Sequence, residues 1–370
     1  MGRAVADLSR HLRGPLAQRL EAVLHPNLRA PGQRRGLPQS EQPALSVGHD
    51  RTVRIGLVGG GFPEVRRCLE EALAELAIPE LAGTELVDVP HGAPAPVDVL
   101  SPLGSTIDGA LLDACGARFV QQFGVGVSGV DLDAARARGL PVANVPGGDS
   151  GNATAVAELA VLLLLALLRR FDEARANVAE KAVGAPMGVM LAGRTVAVLG
   201  TGDIGVALAS RLSAFGVHVV GIGRRDADAY PAAAAVVDAY RRAEDLPAAL
   251  AGCDDLVVAC PLTEATRGLV AGAALGALRP GGHLVNVGRG PVVDHDALLA
   301  ALRSGHVAGA GIDVAWTEPI DPHDELLAEN VVVTPHVGGI TEESYAGMAR
   351  GFVANVGRFA RGEDLHDRVC

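Results

Sequence analysis

The sequence predicts an α/β protein built from two doubly wound parallel sheets. Short β-branched runs alternate with helical patterns from Thr52 to Ala143, and the rhythm repeats from Thr195 to Pro335. A long apolar helix pattern separates the two series. Length agrees: 370 residues suit about two domains of ~100–200 residues. With 49% hydrophobic and 20% charged residues the chain can bury large cores, which excludes global disorder.

Residues 1–50 stand apart from both series. They are rich in Arg, Pro and Gln, around "RAPGQRRGLPQSEQP", and predict a flexible extension with one short helix near Leu16 to Leu24. An Arg-rich, acid-poor start is also compatible with a targeting arm, although no apolar signal-peptide core is present. The first domain covers residues 51–150. "TVRIGLV" reads as a buried strand and "PEVRRCLEEALAEL" as an amphipathic helix. The units "TELVDV", "VDVLSPLG", "DGALLDAC", "RFVQQFG", "DLDAARARGL" and "PVANVP" continue the alternation. "GLVGGGF", Gly56 to Phe62, lacks a GxGxxG spacing and runs straight into Pro63, so it reads as a structural βα turn.

One continuous helix is expected from about Asn152 to Glu180. Its most apolar part, "LAVLLLLALL", is about half a membrane span and lies between Glu158 and Arg169–Arg170, so it predicts a buried helix. The second domain, residues 151–341, has six expected strands: "TVAVLG", "HVVGIG", "DLVVAC", "HLVNVG", "VAGAGIDV" and "NVVVTP". Glu342 to Arg361 reads as a helix returning to the first domain, which residues 342–370 complete.

Within the second series, "AVLGTGDIG" has the spacing of a phosphate cradle. Gly200 permits the tight turn, Gly202 lets backbone approach a pyrophosphate, and Gly205 lets the helix lie close to the strand. Helix-start amides, from Asp203 and Ile204 onward, then face the phosphates. A preceding strand and a following helix are the context the motif requires, so the second domain is expected to be a Rossmann dinucleotide-binding domain.

Three more stretches end strands of that sheet. "NVGRG" carries Arg289, "GAGIDVAWTEP" carries Asp313 and Glu318, and "TPHVGG" carries His336. Ligands of open α/β sheets sit at the carboxyl ends of strands, so these groups can converge on one ligand. Hydride addition to a carbonyl leaves an alkoxide that needs a proton. A histidine titrates near neutrality and can supply it. A carboxylate beside it stabilises imidazolium. An arginine fork holds a substrate carboxylate.

These motifs, with "QQFGVGVSGVDLDAARARGLPVANVPG" and "AVAELAVLLLLALLRR", resemble the D-isomer-specific 2-hydroxyacid dehydrogenases over about Thr52 to Arg361. The resemblance implies Arg289 as substrate anchor, Glu318 as partner of the base and His336 as acid/base. It implies a flavodoxin-like substrate domain and a homodimer built through the long helix. Cofactor contacts would come from Pro261, Val287, Asp313, His336 and Gly338 besides the cradle. Substrate contacts would come from loop amides near Leu103, Gly104, Gly124 and Gly126. Gly288 and Ala315 depart from the family pattern, where larger residues are familiar.

Counting along that pattern, the acid that would read an NAD ribose falls at Gly223, followed by Arg224 and Arg225. Losing the carboxylate and gaining arginines favours a 2′-phosphate, so NADP is expected over NAD. An acid placed at residue 223 would be expected to favour NADH. A net charge of −11 without a basic run argues against nucleic acid. Five cysteines without a CxxC pair argue against disulfides or a zinc knuckle and suit the cytoplasm; no metal is expected. The expected substrate is a small 2-keto or 2-hydroxy acid such as glyoxylate or hydroxypyruvate. Nothing after the returning helix suggests a C-terminal amino-acid-sensing domain. The alternatives are phosphoglycerate, formate or phosphite dehydrogenation, and a dinucleotide-sensing corepressor of the same fold.

Overall fold

The computed structural model describes residues 52–59, 62–90 and 92–370. The helix expected near Leu16 to Leu24, and the extension around it, lie outside the described residues. The described chain forms two compact units, residues 156–338 and residues 52–155 with 339–370.

In the discontinuous unit, five strands lie in the order β2-β1-β3-β4-β5. They are β1 (Arg54–Val58), β2 (Glu85–Val89), β3 (Val99–Pro102), β4 (Phe119–Gln121) and β5 (Val142–Ala143). Every pairing is parallel, and the order is that of flavodoxin. β1 beyond Arg54 and all of β3 are buried on both faces, as expected for strands of a parallel sheet that helices cover on both sides. The helix Pro63–Leu76 starts on a proline and buries Val65, Cys68, Leu69 and Ala72, one stripe at helical spacing. The helix Glu342–Arg361 has the bounds the sequence predicts. The Thr341 hydroxyl caps its start by accepting from the Ser344 amide, and Gly362, in the left-handed region, ends it. Its stripe of Phe352, Val353, Val356 and Phe359 joins Leu57, Leu69 and Phe119 in one core, with the Phe119 and Phe359 rings 5.3 Å apart.

In the other unit, seven strands lie in the order β12-β11-β10-β9-β6-β7-β8. They are β6 (Thr195–Leu199), β7 (His218–Gly223), β8 (Ala239–Arg242), β9 (Asp255–Val258), β10 (Gly282–Asn286), β11 (Val307–Ile312) and β12 (Val331–Val333). All pairings are parallel, and the order reverses between β6 and β9, the switch point beside which ligands bind. The sequence predicts six of these strands and misses β8. "AYRR" is a short edge strand, half-buried at all four positions, so it shows neither an apolar run nor an alternation.

The expected continuous helix from Asn152 to Glu180 is two helices, Asn152–Leu168 and Phe171–Ala179, bent by 57°. Arg170 adopts φ 48°, in the left-handed region, and the Leu168 carbonyl left at the break accepts from the Val189 amide at 2.9 Å. No single helix among the described residues is long and apolar enough to cross a membrane.

At the amino-terminal edge of the seven-stranded sheet, the fully buried Asp255 accepts from Arg194 Nε and Nη2 at 2.6 and 2.7 Å and from the His283 amide at 3.0 Å. His283 Nδ1 also lies 3.0 Å from it. Burial opposes the Asp255 charge, but the His283 and Arg194 hydrogen bonds outweigh it and hold the carboxyl below its ordinary value.

Candidate active site

The cradle lies at the carboxyl end of β6. Gly200 has φ +107°, and a Cβ there would stand 2.6 Å from the Cys260 amide nitrogen. A Cβ at Gly205 would run into the Gly200 carbonyl oxygen, so helix and turn touch as the spacing requires. At Gly202 a Cβ would meet nothing within 4 Å, which leaves that backbone open to a ligand. The helix Asp203–Ala214 begins there without a side-chain cap, and Asp203 and Ile204 form its first turn. An uncapped helix start beside an open glycine fits a pyrophosphate.

His336 lies beyond β12 in a left-handed conformation, φ 56°, uncommon for a residue with a side chain. Asp313 secures this turn. Its carbonyl accepts from the His336 amide at 2.9 Å. Its buried carboxylate accepts from Thr334 Oγ1 at 2.6 Å, the Val337 amide at 2.8 Å and the Gly338 amide at 2.9 Å. Asp313 and Gly338, expected as cofactor contacts, thus bond to each other first and shape the turn that presents His336.

Glu318 Oε2 lies 2.8 Å from His336 Nδ1, and Oε1 accepts from the Ala315 amide at 3.1 Å. Ionised Glu318 only accepts, so Nδ1 carries the shared proton and Nε2 is left for another partner. Burial opposes the Glu318 charge. The His336 hydrogen bond, the His336 charge, the Ala315 amide and the Arg289 charge outweigh it and hold the carboxyl below its ordinary value. Arg289 is half-buried, with Nη1 donating to the Gly288 carbonyl at 2.7 Å. Asn286, fully buried, clamps that loop: Nδ2 donates to the Arg289 carbonyl at 3.1 Å, and Oδ1 accepts from the Gly288 amide at 3.1 Å. The structure therefore brings Glu318 and His336 together, with Arg289 near enough to act on Glu318. Sequence reasoning passed over Asn286 and Thr334, which support the site, although both lie inside the motifs that carry Arg289 and His336.

Other expected contacts vary. Val287 is buried, with its amide donated to Val258, while Pro261 is exposed after β9. Alanine at Gly288 would place its Cβ 2.7 Å from the Cys260 carbonyl oxygen, which accounts for that departure from the family pattern. Burial pushes the neighbouring Cys260 thiol up to about 11. In the discontinuous unit, the Leu103 amide is already donated to the Val58 carbonyl at 2.9 Å. Gly104, next in that loop, is exposed, and Gly126 is half-buried in its own loop.

A family model described as "D-isomer specific 2-hydroxyacid dehydrogenase, NAD binding domain" matches residues 161–338. A glyoxylate reductase of Thermococcus litoralis is 35% identical over 255 residues, 66% of this chain and 75% of its own. The chain belongs to the D-isomer-specific 2-hydroxyacid dehydrogenase family. Another member, a D-3-phosphoglycerate dehydrogenase of Mycobacterium leprae, is 37% identical over 270 residues, 72% of this chain and 49% of its own. This chain thus spans about half the length of the phosphoglycerate dehydrogenases it matches. Among solved members of the family is the NADPH-dependent glyoxylate/hydroxypyruvate reductase of Sinorhizobium meliloti, in complex with NADP and malonate. It superposes with a TM-score of 0.73 at 31% identity, covering 86% of this chain and 97% of its own. Family membership agrees with both strand orders and with the cradle.

Proposed function

We propose that this family member is an oxidoreductase that reduces small 2-keto acids to D-2-hydroxy acids, of the glyoxylate or hydroxypyruvate type, with NADPH. The observation that carries the proposal is the Glu318–His336 pair, set with Arg289 at strand ends of the sheet whose switch point holds the cradle. When bound, a nicotinamide dinucleotide supplies the hydride. His336 Nε2 gives a proton to the carbonyl oxygen. Glu318 stabilises the imidazolium and keeps the ring oriented. Arg289 engages the substrate carboxylate through its planar fork. The glyoxylate/hydroxypyruvate relative matched along nearly its whole length supports the substrate class. Arg224 and Arg225, both exposed after β7, support the cofactor choice.

Initial rates with glyoxylate, hydroxypyruvate and phosphorylated hydroxypyruvate, each with NADPH and NADH, test this reading. Reduction of an unphosphorylated acid with NADPH is expected. Turnover confined to the phosphorylated acid with NADH would overturn it. Dinucleotide binding without any turnover would favour the corepressor reading instead.

Glu318→Gln removes the charge beside the imidazole. The limb of the pH profile where reduction is lost by deprotonation should move to lower pH, because imidazolium loses its stabilising neighbour. A limb that stays in place would detach Glu318 from proton transfer.

The proposal extends to a cytoplasmic homodimer. Phe171, Val178, Val183, Met187 and Met190 expose apolar surface on and after the second of the two bent helices, which a second copy would cover. Sedimentation at the mass of one chain would remove the dimer. The cytoplasmic placement rests on five free cysteines, four of them buried. Fractionation of cells checks it.

A further inference from the structure

The position that should read the cofactor ribose is closed by a tyrosine. Gly221 and Gly223 are two apart on β7 and so leave one face of the strand bare. Tyr240, on the neighbouring edge strand β8, lies along that face. A Cβ at Gly221 would stand 3.5 Å from its ring, and a Cβ at Gly223 would run into its hydroxyl oxygen. The same Cβ at Gly223 would stand 2.8 Å from Thr201 Oγ1, inside the cradle.

The Tyr240 hydroxyl donates to the Arg225 carbonyl at 2.9 Å and lies 3.4 Å from Thr201 Oγ1. A phenol has one proton, so Thr201 is the donor in the second contact. One neutral hydroxyl thereby ties the phosphate cradle to the basic turn. Tyr230 extends the assembly: its ring stacks against Tyr240 with centroids 6.5 Å apart. The Arg225 guanidinium lies 4.6 Å from the Tyr230 centroid, and Arg225 Nε donates to the Tyr230 hydroxyl at 3.1 Å. Arg242 is held by Asp226 at 2.7 Å and by Glu244. Arg224 is exposed and has no such partner among the described residues.

We propose that Tyr240 determines cofactor specificity: its hydroxyl takes the place of the ribose-reading carboxylate, excludes any side chain from position 223 and braces the turn that presents Arg224. The proposal rests on reading the cradle as an NADP site, and it corrects the expectation that an acid at Gly223 alone would favour NADH. An aspartate there meets Tyr240 before it meets a ribose.

Dissociation constants for NADPH and NADH, measured by calorimetry together with the melting temperature, test this on four proteins: the parent, Gly223→Asp, Tyr240→Phe, and Gly223→Asp with Tyr240→Ala. The single Gly223→Asp variant should melt lower and bind both cofactors about tenfold or more weakly. The double variant should recover NADH binding by about tenfold over the single variant while NADPH stays weak, on the scale of one charge-assisted hydrogen bond gained and one lost. Tyr240→Phe keeps the ring and loses both hydrogen bonds, so NADPH should weaken more than NADH. A Gly223→Asp variant that tightens NADH without a fall in melting temperature would overturn the proposal. So would a double variant no better than the single one. If neither aspartate variant folds, Tyr240→Phe decides, and an unchanged ratio of the two constants overturns the proposal. A parent that prefers NADH would remove the NADP reading by itself, while loss in the single variant and recovery in the double would still assign Tyr240 the guarding role.

Discussion

Replacing His336 with alanine lowers turnover by about 10²–10⁴-fold, the usual worth of a positioned acid/base, and changes dinucleotide affinity little. Glu318 holds Nδ1 of the imidazole at 2.8 Å, which leaves Nε2 available for the proposed proton transfer. Alanine carries a second consequence, because position 336 has φ 56°. A Cβ-bearing residue in that region costs roughly 1–2 kcal/mol unless its side chain bonds locally. His336→Asn separates the two effects, since asparagine tolerates the left-handed region but cannot shuttle the proton. Both variants should fall equally in single-turnover rates. Near-normal turnover in either would remove His336 from the chemistry. Recovery in asparagine alone would make the role one of backbone shape.

Asp255→Ala destabilises the seven-stranded unit by about 3–5 kcal/mol, the range for breaking a buried ion pair by removing one partner. Alanine takes the bidentate acceptor from the Arg194 guanidinium and the carboxylate acceptor from the His283 amide, at a position that is itself fully buried. The pH dependence has a definite sign. The folded carboxyl titrates below its unfolded value, so its contribution is fully present above the unfolded value of about 3.9 and is lost as pH falls through the folded one. Urea melts at neutral pH should show the whole deficit, and the gap between parent and Asp255→Ala should close on strong acidification. A gap independent of pH would mean that lost packing, not charge, sets the cost. The site chemistry lies at the other edge of the sheet, so turnover per folded molecule should be unaffected.

Much of this arrangement was legible in the sequence because its signals are local. A strand buried on both faces reads as a continuous apolar run, as "VAVL" and "LVV" do. A pyrophosphate cradle needs glycine at three spaced positions, and "GTGDIG" has them. The returning helix runs from Glu342 to Arg361 as its sequence predicts, and the caps at Thr341 and Gly362 lie next to it in the chain. The candidate chemistry was legible for the same reason: Arg289, Glu318 and His336 each follow a recognisable strand, and strand ends of a parallel sheet share one edge.

What escaped the sequence depends on partners distant along the chain. β8 is stabilised by pairing with β7, and "AYRR" alone shows no period. The bend at Arg170 is settled by Val189, which caps the open carbonyl from nineteen positions after Arg170. The ion cluster joins Arg194, Asp255 and His283, one residue from each of three strand starts. The Asp313 carboxylate, expected only as a cofactor contact, also holds the Val337 and Gly338 amides, a role set by residues more than twenty positions away. Sequence alone determined the two parallel sheets, the glycine spacing of the cradle and the strand ends on which Arg289, Glu318 and His336 lie, since these follow from periodicity and from backbone geometry within a few neighbouring residues. Only the tertiary structure decided that the space at Gly223 belongs to Tyr240 rather than to a future acid. Which side chain fills a gap is set by packing between strands, and no spacing within either strand encodes it.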